Sequence, residues 1–110
     1  MRRVVVTGLG ALTPIGNNIE DFWTNLKAGK SGAAEITSFN TEKFKAKFAC
    51  ELKGFDPKEH FDVKELRKYD PFSQYALYAV DQALKNGGID LDPLNKDRIG
   101  VIWGSGNGGI

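Results

Sequence analysis

Three sets of residues in this sequence have types and spacings suited to chemistry: two glycine-rich turns, a basic cluster, and a lone cysteine with a lone histidine. Gly8-Leu9-Gly10 follows the β-branched run Arg3-Val4-Val5-Val6-Thr7. Glycines placed there let a pyrophosphate approach the start of a helix. The dinucleotide pattern fails at its third glycine, because position 13 is Thr13 and Pro14 then interrupts the turn. A tight strand-to-helix turn is the simpler reading. The second turn, Gly104-Ser105-Gly106-Asn107-Gly108-Gly109, satisfies G-x-G-x-x-G and follows an apolar run. Three readings stay open for it: phosphate binding, close backbone approach to another ligand, or a purely structural turn.

Lys64, Arg67 and Lys68 stand at i, i+3 and i+4, a spacing that puts three cations on one helical face. Such a face is either solvated surface or a docking patch for an acidic partner. Cys50 has no glycine elbow and no partner base, and it reads as a buried or half-buried structural thiol. His60 stands alone between Glu59 and Phe61. Neither residue builds a catalytic dyad, and no metal site is expected.

Positioning these groups requires a framework. Arg3–Thr7 and Ile99–Trp103 read as short strands buried on both faces. A first helix starts at the N-cap Asn18, with Asp21 three residues on, carries Ile19, Phe22, Trp23 and Leu26 on one side, and ends at Gly29. Residues 31–61 lack a sustained period and read as an irregular layer with short elements. Asp62 and Glu65 form a capping-box pattern for a short helix that holds Lys64, Leu66, Arg67 and Lys68. Asp70-Pro71 opens a longer helix with Phe72, Tyr75, Ala76, Ala79, Val80, Ala83 and Leu84 on one face, stopped by Gly87-Gly88. Two apolar strands separated by helices imply a right-handed parallel crossover and an α/β fold. The chain stops on a glycine turn with nothing to cover such a sheet, so the expectation is that it is part of a longer protein.

Composition narrows the function classes. The 110 residues amount to one domain or part of one, and 15 Lys plus Arg against 14 Asp plus Glu give a net charge of +1. That balance argues against nucleic acid or an anionic membrane as the default partner. A single cysteine excludes an internal disulfide. The apolar run at the start is too short for a signal peptide or a membrane span, so a cytoplasmic protein is expected.

Taken together, the stretches from Arg2 to Gly16, Phe22 to Gly32, Arg67 to Phe72 and Arg98 to Gly106 resemble the opening of β-ketoacyl-[acyl-carrier-protein] synthases, the elongating type II group above all. The resemblance covers nearly the whole chain. It implies residues 1–110 to be part of the amino-terminal domain of a thiolase-like αβαβα fold, in a homodimeric enzyme several times this length. It also implies fatty-acid elongation by decarboxylative Claisen condensation of acyl groups with malonyl-[acyl-carrier protein], with no cofactor. The family's nucleophilic cysteine and paired histidines have no counterpart in these residues, so the segment alone is expected to be inactive. Lys64, Arg67 and Lys68 match a basic patch used against the acidic acyl carrier protein. Gly104, Gly106, Asn107 and Gly108 match a loop beside the acyl-chain pocket. Asn107 departs from the aliphatic residue common there, which leaves acyl-length preference open. A nucleotide-binding α/β domain and a polyketide-type ketosynthase are the alternatives.

Overall fold

The computed structural model describes residues 1–109, and the chain divides into two compact units. One comprises Ala11–Phe55; the other joins Met1–Gly10 to the chain from Asp56 onward.

In the first of these, helix α1 spans Ile19–Lys27. Asn18 caps it, its side-chain oxygen accepting from the Asp21 amide at 2.8 Å, while its own amide group donates to the Asp21 carboxylate at 2.8 Å. The far end closes through a paired turn, Gly29 N–H donating to Leu26 and Lys30 N–H to Asn25, with Gly29 in the left-handed region at φ 66°. Ahead of α1, Thr13 and Gly16 exchange backbone hydrogen bonds at 2.9 and 3.1 Å, and the tight loop between them holds Pro14. The rest is irregular apart from an antiparallel ribbon of β1 (Ala34–Glu35) and β2 (Phe48–Ala49), with Ala34 opposite Ala49 and Glu35 opposite Phe48. Glu51 reaches back along this ribbon, accepting from the Thr37 amide and hydroxyl at 2.9 Å each and from the Ser38 amide at 3.3 Å.

The second unit is built on two helices: α2, Val63–Leu66, and α3, Pro71–Gly87. A 3₁₀ turn, Pro57–Glu59, precedes α2, and another, Lys96–Arg98, follows α3. Asp62 caps α2 by accepting from the Lys64 amide at 3.1 Å. Helix α3 begins with Pro71 in its first turn and ends at Gly88, whose φ of 60° terminates the helix while Ile89 N–H returns to the Leu84 carbonyl at 3.0 Å.

Helix α3 uses two sides. Ala79 and Ala83 lie under the extended segment around Gly8-Leu9-Gly10, close enough that a Cβ on Gly8 would overlap the Ala83 carbonyl and one on Gly10 the Ala79 carbonyl. Leu9 N–H donates to the Asn86 side chain at 3.0 Å and fixes the crossing. The first glycine pair is therefore explained by backbone-to-helix approach. On the opposite side of α3, Gln74 and Tyr78, one turn apart, face the 60–69 segment, and Tyr78 meets the His60 ring edge-on at a centroid distance of 4.5 Å.

The expected parallel sheet does not form among the described residues. Residues 3–7 and 99–103 are extended but pair with no strand, and Val4, Val6, Val101 and Ile102 are 94, 78, 85 and 99 % exposed. An apolar β-branched run encodes only a willingness to extend. A strand also needs a hydrogen-bonding neighbour, and neither run has a ladder partner among the described residues. The fold is thus mixed helix and strand, with its only ladder among the described residues a short antiparallel one. No helix among those residues is long and apolar enough to cross a membrane.

Candidate functional site

The basic cluster is displayed, though not wholly on a helix. Helix α2 ends at Leu66, so Lys64 is helical while Arg67 caps its end and Lys68 lies in the next turn. The cause is local: Pro71 disfavours helical backbone at Asp70, and Lys68 N–H already turns to the Glu65 carbonyl at 2.9 Å. All three side chains are exposed. The connection from α2 to α3 is held by Gln74, the only buried polar side chain among the described residues at 8 % exposure. Its amide nitrogen donates to the Tyr69 carbonyl at 2.8 Å and, at 3.5 Å, to the Leu66 carbonyl.

The second glycine turn belongs to the same unit and sits against the start of α3. Gly108 has φ 67°, and its N–H donates to the Ser105 hydroxyl at 3.1 Å. A Cβ on Gly108 would touch the Phe72 ring, and one on Gly109 would overlap the Asp70 carboxylate. Gly104 and Gly106 have open space around them, and Asn107 is exposed. The left-handed backbone thus accounts for Gly108 and crowding by the Asp70 side chain for Gly109, and no helix opens on this turn within the described residues.

Cys50 corrects an expectation. It is exposed, because Ala49 takes the half-buried position of the ribbon and the next side chain along an extended backbone points the other way. His60 is engaged with Tyr78.

A cleft of about 350 Å³ lies in the Ala11–Phe55 unit, bordered by Asn17, Asp21, Asn25, Lys30, Ser31 and Lys53. Its polar groups brace backbone. Asn25 donates to the Ile15 carbonyl at 2.6 Å, Asn17 to that of Lys53 at 2.8 Å, and the Lys53 ammonium to that of Gly32 at 2.6 Å. Nothing in the sequence pattern singles these residues out, since each bond spans a loop. Gln74 escaped sequence reasoning for a related reason: it lies off the apolar stripe of α3, where a polar residue reads as solvent-facing.

Comparison with known proteins decides what this framework belongs to. A family model described as the N-terminal domain of β-ketoacyl synthases matches residues 1–110. The chain belongs to the β-ketoacyl synthase family. It is 44 % identical over 109 residues to a 3-oxoacyl-[acyl-carrier-protein] synthase 2 of Coxiella burnetii. Proteins of the same name from Staphylococcus aureus and Vibrio cholerae are 45 and 47 % identical to it. Each alignment covers 99 % of this chain and 26 % of the relative, so the chain spans about a quarter of the length of these synthases. Among solved structures, the ishigamide ketosynthase/chain length factor superposes with a TM-score of 0.73 at 38 % identity, over 84 % of this chain and 23 % of that one. In this β-ketoacyl synthase segment, Gly8 and Gly10 cross one side of α3 and the basic turn is braced on the other.

Proposed function

We propose that this chain is the amino-terminal part of a 3-oxoacyl-[acyl-carrier-protein] synthase that extends acyl chains by two carbons in fatty-acid synthesis. The observation that carries the reading is the end-to-end match to three synthases of that name at 44 to 47 % identity. In the reaction, a cysteine thiolate takes the acyl group from its carrier as a thioester. Malonyl-[acyl-carrier protein] loses CO₂, and the resulting carbanion attacks that thioester carbonyl. A carbon–carbon bond forms, the carbon–sulfur bond breaks, and the thiolate leaves. Histidine donors assist decarboxylation and stabilise the developing charge. Cys50 and His60 are not those groups: one is exposed beside a two-residue strand and the other packs on Tyr78. No cofactor enters this scheme.

Within that enzyme, residues 1–110 form part of an αβαβα thiolase-like domain and supply scaffold, docking face and pocket wall. Lys64, Arg67 and Lys68 receive the acidic carrier protein; their exposure and clustering support this role. Gly104, Gly106, Asn107 and Gly108 line the acyl chain, supported by the compact turn that the Ser105 hydroxyl closes on Gly108. The enzyme is a cytoplasmic homodimer. The polyketide reading has the ishigamide ketosynthase in its favour, but at 38 % identity it is the more distant likeness.

The docking role is tested in the native polypeptide by Lys64→Glu with Arg67→Glu. The ratio of kcat/KM for a carrier-linked acyl substrate to that for a small acyl thioester should fall about tenfold, mostly through KM, and lose salt dependence. An unchanged ratio would remove these residues from carrier binding.

A further inference from the structure

We infer that Gln74 is a positioning residue for the carrier-docking face, its buried amide fixing the backbone on both sides of Arg67 and Lys68. The inference rests on the docking role proposed for those residues.

Helix α2 has four residues, too few to hold a helical turn by its own hydrogen bonds. Two of the three basic residues lie beyond its end, where backbone direction is still less determined. Their cationic heads can present a fixed pattern to a partner only if something outside α2 holds this turn. Helix α3, with seventeen residues, Pro71 at its start and Gly88 closing its end, is the rigid element nearest in sequence. Gln74 extends from its second turn to the carbonyls of Leu66 and Tyr69, the residues that bracket Arg67-Lys68. Both partners are acceptors, so the nitrogen of the amide must face them, and no other orientation satisfies the pair. At 8 % exposure, water does not readily replace the amide. The Gln74 side chain touches no part of the proposed carrier; it acts through the backbone that carries the cations.

The test compares Gln74→Leu and Gln74→Glu with the Lys64→Glu, Arg67→Glu pair in the native polypeptide. Substrates are a medium-chain acyl-[acyl-carrier protein] and the corresponding acyl-N-acetylcysteamine thioester. Loss of the donor should lower the carrier-to-small-thioester ratio of kcat/KM about fivefold, the effect of one hydrogen bond, expressed in KM. In the charge-reversed background the same change should add little, because the face to be positioned is already lost. An equal fall for both substrates with a lower melting temperature, or failure of both Gln74 variants to fold, would make Gln74 merely structural and overturn the inference. If charge reversal lowers the ratio and the Gln74 variants do not, this inference alone fails. If charge reversal leaves the ratio unmoved, the docking reading fails and takes this inference with it.

Discussion

Glu51 is a surface side chain whose chemistry is set by what it holds. Hydrogen bonds from the Ser38 side chain and from the Thr37 amide and hydroxyl favour its ionised form and lower its pKa from 4.5 to about 2. Because the folded value lies below the unfolded one, the clasp on the 37–38 segment is fully present above pH 4.5 and is lost as pH falls through about 2. Amide exchange at Thr37 and Ser38, corrected for its intrinsic pH dependence, should therefore accelerate across that window, and Glu51→Gln should show fast exchange already at neutral pH. Asn107 raises a different question at the same scale. An exposed amide in the proposed pocket loop resists desolvation against a lipid chain, so Asn107→Ile should shift the acyl-length profile of the intact enzyme. A product distribution identical to that of the unaltered protein would exclude Asn107 from chain-length control. Sequence alone singled out Asn107 and the basic residues as candidates, through residue type and spacing. It could not find Glu51 or Gln74, whose importance comes from partners reached across a fold.

At the scale of elements, the helices were legible and the sheet was not. Asn18 and Asp62 mark helix starts by accepting from amides two or three residues on, Pro71 by presetting the first-turn backbone, and Gly88 by its left-handed φ, and local sequence contains all that these devices need. Residues 3–7 and 99–103 carry equally clear apolar runs, yet strand pairing depends on a neighbour that their own composition cannot specify. Glycine roles divide in the same way. Gly29 has φ 66° with open space around it, whereas Gly10 would drive a Cβ into the Ala79 carbonyl. Gly29→Ala should cost about 1–2 kcal/mol through backbone strain, and Gly29→Asn should recover much of it. Gly10→Ala should cost about 2 kcal/mol through overpacking, and Gly10→Asn should be no better. Denaturant midpoints of the four variants check this, and relief by asparagine at both positions would refute the distinction.

For the whole molecule, the informative feature is apolar surface left in water. Val4, Val5 and Val6 are 65 to 94 % exposed and Val101, Ile102 and Trp103 are 54 to 99 % exposed, in two extended runs with open backbone edges. Such edges recruit other strands. The 110-residue chain expressed by itself should self-associate, seen as concentration-dependent mass in light scattering, and a monodisperse 12.1 kDa species with a cooperative melt would contradict that expectation. On the function proposed above, in which the nucleophile lies elsewhere in the native polypeptide, it should also be inactive. The native polypeptide, in contrast, should perform the condensation. Incubated with acyl-[acyl-carrier protein] and malonyl-[acyl-carrier protein] and followed by mass spectrometry, it should release CO₂ and yield a 3-oxoacyl-[acyl-carrier protein] two carbons longer than the acyl substrate. Hydrolysis or acyl exchange without carbon–carbon bond formation would contradict the account.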